Sequence, residues 1–396
     1  MTSLLVVGAG PEQLPAIETA RARGYRVIVT DRDPNAVGMK AAHEGCVVST
    51  RDLEGTLAVA KQFQVDGVMT LASELGVPVV AGVAEALGLP GISPKTALAC
   101  TDKAVMTQAF EAGSVPRPRH QSIRSFEDLR AFFAVDQMPL VIKPATNSGQ
   151  RGIHFVRHAS GLKEAFADAV ANDPDGQTVV EAFVEGPEIN ICAVVENGQA
   201  RILSLAYRIT DPQRAFGIAI KHLAPPDLSP RQHAACVDAA QRAITAVGLR
   251  DGVAYPQLIM SPTGPKVLEI AARIPGGHNR EVALALSGED LVEAAIAIAV
   301  GEPCPPPRPL RYSAACVRFI TALDGPVVSE LSNFEQQLQA QDVWLCYSRL
   351  QTGEVVPSLA NSTARFGAIM VVGERAVEVE NRAESVFRAL TATGRR

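Results

Sequence analysis

Long apolar runs, an excess of basic charge and paired cysteines are all missing from this chain. No apolar stretch approaches the ~20 residues that cross a bilayer, so a membrane span is not expected. Lysine plus arginine number 37 against 42 acidic residues, a formal charge of −5, which leaves no basic stripe for a nucleic-acid backbone. The seven cysteines are odd in number and form no C-x-x-C pair. Neither a disulfide framework nor a zinc site is expected, and the thiols read as those of a cytoplasmic protein. No basic stretch and cleavage site follow Met1, so no secretory leader is expected. Lysine is scarce too, with eight among the 37 basic residues, so each lysine position carries information. What is present is 396 residues, 47% hydrophobic and 20% charged, enough apolar material for a large core. At about 150 residues per domain, two to three domains are expected.

The first ninety residues alternate apolar strands with helical patterns. Strands are expected at Leu4–Val7, Val27–Thr30 and Gly67–Thr70, and helices at Glu12–Arg23, Leu53–Phe63 and Val77–Leu87. Strands this uniformly apolar, separated by helices, imply a parallel sheet covered on both faces. Ser93-Pro94 is a helix start, and that helix is expected to carry Asp102-Lys103 and end near Gly113. Extended, proline-containing Val115–Pro118 marks a boundary. Beyond it come a strand at Leu140–Lys143, a loop at Asn147–Gly152, and longer strands at Thr178–Val184, Glu188–Val195 and Ala200–Ile209. A long helix, Pro230–Val247, precedes a hairpin of Val253–Met260 with Lys266–Ala271. An apolar helix, Asp290–Val300, leads into Glu302–Pro309, with five prolines in eight residues, a stiff extended linker. From Arg311 a smaller α/β unit follows.

Two glycine-rich stretches invite phosphate. Gly8-Ala9-Gly10 follows a strand as a dinucleotide fingerprint does, and Asp31 would suit a ribose, but Gln13 stands where the third glycine belongs. A glycine turn of an ordinary βαβ unit is the better reading. The second stretch is Lys143-Pro-Ala-Thr-Asn-Ser148-Gly149-Gln-Arg-Gly152. A strand-end ammonium beside a Ser/Gly loop can place positive charge and main-chain N–H donors around phosphate oxygens. It is not the P-loop pattern, and a surface hairpin with a solvated lysine fits as well.

Later residues favour the nucleotide. Glu181, in Val180-Glu-Ala-Phe183-Val184, can accept from an adenine amino group, and Glu188 can bind ribose hydroxyls. In an ideal hairpin register Gln257 and Glu269 face each other about 5 Å apart, and Arg273 extends that face. A carboxylate in the apolar strand Val267–Ala272 needs a partner, and Mg²⁺ with a phosphate-facing arginine supplies one.

In this order the parts resemble the ATP-grasp family over about residues 1–300, and Leu268-Glu-Ile-Ala-Ala-Arg273-Ile-Pro-Gly276-Gly277-His278 resembles its carboxylate–amine ligase branch, which includes the L-amino acid ligases. The tail, with Arg365-Phe-Gly367, is similar to the C-terminal domain of that branch. The resemblance implies mixed α/β and α+β architecture: a pre-ATP-grasp parallel α/β domain over 1–115, an ATP-grasp domain over 116–305 and a smaller C-terminal α/β domain over 306–396. The ATP-grasp domain divides into a lid-bearing part, 116–185, and a core part, 186–305.

The same resemblance implies ATP and Mg²⁺, with Mn²⁺ able to replace it, held by Lys103, Lys143, Ser148, Gly149, Gly152, Glu181, Phe183, Val184 and Glu188. Gln257 and Glu269 are the metal ligands it implies. Arg273, Lys143 and Glu269 would be catalytic, and His222, Arg273, Gly276, Gly277 and His278 would meet the substrate. The implied reaction joins a small carboxylate to an amine through an acyl phosphate, giving ADP and phosphate, in a homodimer. Two positions depart from the family. Gln257 stands where a carboxylate is usual, and Ala271 where many members have Asn. Either the metal leans on Glu269, water and phosphates, or catalysis is impaired. Open alternatives are a purine-pathway or carboxylating ATP-grasp enzyme and an ATP-binding regulatory protein.

Overall fold

The computed structural model describes residues 1–136, 139–146, 151–211, 213–325, 331–351 and 353–391. Four strands, β1 (Ser3–Val7), β2 (Arg26–Asp31), β3 (Glu44–Val47) and β4 (Gly67–Met69), form a sheet in the order β3-β2-β1-β4. Their pairings are parallel, and every residue of β1 is buried, as a sheet with helices on both faces requires. The helices Leu53–Phe63 and Val77–Leu87 fall where the apolar periodicity places them. Asp52 caps the first by accepting from Gly55 N, and left-handed Gln64 ends it. The order reverses at β1, which neighbours β2 on one side and β4 on the other, so the crevice beyond these strand ends is the natural place for a ligand.

One expected helix is in fact two. Pro94–Thr101, capped by Ser93, ends at Asp102, which is extended (φ −109°, ψ 113°). The Asp102 carboxylate then accepts from Ala104 N and Val105 N and so caps a second helix, Lys103–Ala112. An N-cap aspartate inside the run resets the helix, and Lys103 becomes its first residue.

Four more strands, β5 (His120–Ile123), β6 (Leu140–Pro144), β7 (His154–Val156) and β8 (Thr178–Ala182), pair antiparallel in the order β5-β8-β6-β7. The remaining eight are β9 (Glu188–Glu196), β10 (Gln199–Asp211), β11 (Ala215–Ala224), β12 (Gly252–Ser261), β13 (Gly264–Ala271), β14 (Ala314–Ile320), β15 (Val343–Ser348) and β16 (Gly367–Gly373). They build one antiparallel sheet in the order β13-β12-β9-β10-β11-β14-β16-β15. Strand β11 has no counterpart in the sequence reading. It pairs with both β10 and β14, and so the strands after residue 306 continue the sheet of the preceding segment.

Helix Pro230–Ala246 covers one face of this sheet, held at its start by a Ser229/Gln232 capping box. Its buried Ala239, Ala240, Ala243 and Ile244 pack among Ile189, Ile191, Ala193 and Leu258. Among the described residues, no helix is long and apolar enough to cross a membrane.

Candidate functional site

The opposite face of the large sheet is polar where strands meet, and register explains it. Gln257 of β12 pairs with Glu269 of β13 on one side and Asn190 of β9 on the other. Arg208 of β10 pairs with Glu188 of β9 and with His222 of β11. Side chains two apart share a face, so Asn190 and Glu188 line up and join the two rows. The expected facing of Gln257 and Glu269 is met: the Gln257 amide donates to Glu269 Oε1 at 2.9 Å. Arg208 donates to Glu188 and to Gly217 O. His222 is 2% exposed, a buried strand residue in reach of Asn190 at 3.4 Å.

Cations converge on this floor. Lys143 leaves the end of β6, and its Nζ donates to Glu181 Oε2 of β8 at 2.6 Å, with both side chains buried. The two are diagonal neighbours, since Lys143 pairs directly with Val179. Glu181, expected at an adenine, spends its carboxylate on Lys143. Lys103 begins its helix beside the end of β6, where its N–H donates to Ala145 O at 2.9 Å. Thr146 is anchored next to it by Asp173, which accepts from Thr146 N at 2.9 Å and Oγ1 at 2.8 Å. Burial alone would push the Glu269 carboxyl up, but Lys103, Lys143, Arg208 and Arg273 more than reverse this and hold it below its ordinary range. Burial would lower Lys143, and Glu181, Glu269 and Glu188 raise it instead. Both groups are charged at neutral pH.

Strand β13 stops at Ala271, so Arg273 does not extend it as expected; it lies in the following turn and ion-pairs with Glu74. The turn is clamped to the end of β4, where Ala72 N donates to Ile274 O at 3.1 Å. Gly277 and His278 both take left-handed backbone (φ 68° and 61°), and Asn279 Nδ2 holds Gly276 O at 2.9 Å. His278 Nε2 lies 3.0 Å from Tyr347 Oη, and its Nδ1 lies 3.6 Å from Glu281. Arg280 and Glu281 are both partnered: Arg280 meets Asp290 at 2.7 Å, and Glu281 lies beside His278.

Other expected residues take more structural places. A Cβ on Gly152 (φ 71°) would stand 2.8 Å from Pro144 and Asn172, so this glycine serves a close crossing. The Phe183 ring packs on Phe155 of β7 (centroids 4.6 Å apart), which stacks on Phe216 of β11 at 5.1 Å. Val184 follows on the segment leaving β8. Ser148 and Gly149 lie outside the described residues. At the N-terminus, Ala9 N donates to Asp31 and Gly10 N to Gln13 Oε1, so the turn satisfies its own donors, contrary to a dinucleotide site.

Sequence reasoning missed Glu74, Arg208, Asn190, Glu12 and Arg365. Glu12 and Glu74 lie beyond β1 and β4, at the reversal of strand order, a signal present once the strands are placed. Arg365 precedes β16 and stacks over the Phe319 ring at 4.1 Å. Burial, Arg365, Arg208 and His278 hold the His222 imidazole well below its usual 6.5, so it is neutral.

Among the described residues, no group of three or more His, Cys, Asp or Glu side chains is placed to hold a metal ion. The donors present are one half-buried carboxylate, Glu269, and the Gln257 carboxamide. That set suits Mg²⁺, which keeps waters and takes substrate phosphate oxygens. Arg273 Nε, buried without a hydrogen-bond partner, is a donor left for such a group.

Residues 102–306 match the family described as carbamoyl-phosphate synthase L chain, ATP binding domain, and residues 17–91 match the ATP-grasp N-terminal domain. Human carnosine synthase 1 is 32% identical over 193 residues, 44% of this chain and 23% of that protein. The D-alanine--D-alanine ligase of Gloeobacter violaceus is 29% identical over 182 residues, 44% of this chain and 59% of the ligase. The chain thus spans less than two thirds of each of these relatives. An L-amino acid ligase structure from Bacillus licheniformis superposes with a TM-score of 0.80 at 22% identity, covering 98% of this chain and 97% of that one. Phosphoribosylglycinamide synthetase from Anaerococcus prevotii gives 0.78 at 19%, covering 98% of each. At these identities the two structures speak for the fold. The match over residues 102–306, about half of the chain, takes in the Lys103, Lys143, Glu269 and Arg273 constellation, and with the N-terminal match it shows that the chain belongs to the ATP-grasp family.

Proposed function

We propose that this protein is an ATP-dependent ligase that joins a small carboxylate to an amine through an acyl phosphate, releasing ADP and phosphate. The observation that carries the reading is the convergence of Lys103, Lys143, Arg208 and Arg273 on half-buried, ionised Glu269. Phosphoryl transfer asks a protein chiefly for positioning and charge neutralisation, and this floor offers both. In the first step a carboxylate oxygen attacks the γ-phosphorus and ADP leaves. In the second an amine nitrogen attacks the acyl carbon, the C–O bond to phosphate breaks, and the amine gives up a proton.

Lys103 and Lys143 reach phosphate oxygens from the helix start and the lid. Glu269 and Gln257 would hold Mg²⁺, or Mn²⁺ in its place, which when bound neutralises charge on the phosphates. For Lys143 to serve ATP, its contact with Glu181 must loosen. Arg273 meets the transferring phosphate with the donor that now lacks a partner. The turn Gly276–His278 brings main chain close to the substrate, with His222 as a neutral wall. Small-molecule partners, no nucleic acid and a cytoplasmic homodimer complete the reading.

Phosphate release from ATP across a panel of carboxylates and amines tests it: release that needs both members of a pair supports ligation. A second reading, an ATP-binding regulatory protein, is favoured by Gln257, whose amide occupies Glu269 Oε1. ATP binding with no release on any pair selects that reading. Release that needs bicarbonate selects a carboxylating enzyme.

A further inference from the structure

The hairpin of β12 and β13 turns one face to the site, and its register fixes what stands there. Gln257 pairs with Glu269 and Tyr255 with Ala271, and alternation along each strand puts all four side chains on that face. Glu269 is the one anion among them. Gln257 is neutral, and its amide donates to Glu269 Oε1 at 2.9 Å. Tyr255 is buried, which raises its pKa and keeps the phenol protonated. Ala271 carries no donor atom. Asn190 pairs with Gln257 on its other side and adds a further neutral oxygen, since its Oδ1 is buried without a hydrogen-bond partner.

The nearby carboxylates that would raise the anionic count are engaged elsewhere. Glu188, two residues before Asn190 on β9, ion-pairs with Arg208, and Glu181 pairs with Lys143 at 2.6 Å. The cations show the same division. Lys143, Arg208 and Arg273 act on Glu269 through space, while their ion pairs go to Glu181, Glu188 and Glu74. A site that binds a divalent ion unaided, or holds two, gathers several charged oxygens. One carboxylate among neutral oxygens supports a single ion whose other positions go to water and phosphate.

We propose that this hairpin face takes one divalent cation per chain, that the ion is held only together with the nucleotide, and that Gln257, standing where a second carboxylate would, sets that number. The proposal rests on the ATP-dependent reading of the site. It makes the metal content of the protein a property of its nucleotide state. It also gives the departure at Gln257 a consequence other than loss of catalysis.

The test counts ions rather than turnover. Mn²⁺ is the probe, because its free form is read directly by electron paramagnetic resonance. The full chain is titrated with Mn²⁺ alone and with Mn²⁺ plus a saturating non-hydrolysable ATP analogue, and bound analogue is measured in the same samples. The wild type is expected to hold one Mn²⁺ per bound analogue, with no saturable binding in the absence of analogue. Gln257→Glu creates a carboxylate pair and should bind Mn²⁺ without nucleotide on the order of tenfold or more tighter than the wild type, since affinity follows the number of charged ligands. Two Mn²⁺ per analogue in the wild type overturn the proposal, whether or not the variant folds. So does a wild type that saturates with Mn²⁺ alone. A Gln257→Glu protein that keeps its circular dichroism and binds Mn²⁺ no better than the wild type overturns the role given to Gln257. No binding of the analogue at all overturns the ATP-dependent reading and this inference together, whereas an analogue bound with two ions overturns the inference alone.

Discussion

Replacing Lys143 with Met removes the cation from a buried pair and leaves the Glu181 carboxyl group 4% exposed and without its 2.6 Å donor. Breaking one side of such a pair costs about 3–5 kcal/mol, because the remaining charge is desolvated and uncompensated. The pair joins β6 to β8, the two central strands of their sheet, so the cost falls on opening of that sheet. At about 1.4 kcal/mol per decade, amide hydrogen exchange in β6 and β8 should speed up by about two to three and a half decades, up to the limit set by the sheet's own stability. Glu181→Met should do the same from the other side. The double variant Lys143→Met/Glu181→Met replaces the pair with apolar side chains of similar length and should recover most of the protection, since such replacements are close to neutral. Exchange in the parallel N-terminal sheet provides the internal control. Single variants that change exchange less than threefold, or a double variant whose loss equals the sum of the singles, would refute the reasoning.

Further outcomes follow from the same geometry. Glu269→Gln should lose phosphate release by on the order of 100-fold or more, because the carboxylate that four cations keep ionised is gone, while circular dichroism shows the fold retained. Activity within threefold of wild type would remove Glu269 from the site. Gly277→Ala should destabilise by about 1–2 kcal/mol, read from thermal melting, since φ is 68° there. Unchanged melting would show that the turn relaxes freely. His222 is buried neutral, with its folded pKa well below 6.5. Below about pH 6.5 the unfolded chain binds the proton and the folded chain does not, so stability falls with falling pH by at most about 1.4 kcal/mol per unit. His222→Asn should flatten that part of the melting-temperature profile, and an identical slope in both proteins would contradict the assignment.

How much could be read beforehand depended on how local the signal was. Helices Leu53–Phe63 and Val77–Leu87 end where their caps say, because apolar period and terminators lie within one segment. The facing of Gln257 and Glu269 was expected from an ideal hairpin and is reached by another route: the turn pairs Ser261 with Gly264, and a register shift between Gln257 and Leu258 brings Glu269 opposite Gln257. The break at Asp102 was not, since a capping aspartate within a continuous helical pattern looks like a solvated residue until its backbone is seen. Strand β11 was missed because alanines and a glycine interrupt Phe216, Ile218 and Ile220, and its place comes from pairing with β10 and distant β14. The partners of Arg273 and Arg365 were the least visible. Glu74 is 199 residues from Arg273, and the space beside Gly277 is completed by a residue of another segment. Sequence spacing names charged residues of a site but not which charges cancel.

The central claim is that the cations around Glu269 serve acyl-phosphate formation. It is tested most directly by supplying ATP, Mg²⁺ and a panel of carboxylates with hydroxylamine in place of an amine. Hydroxylamine attacks an acyl phosphate without needing a donor-specific site, giving a hydroxamate that is read by its ferric complex. The account predicts hydroxamate in step with ADP for at least one carboxylate, lost in Glu269→Gln. ADP formed without hydroxamate, or hydroxamate undiminished in Glu269→Gln, would contradict it.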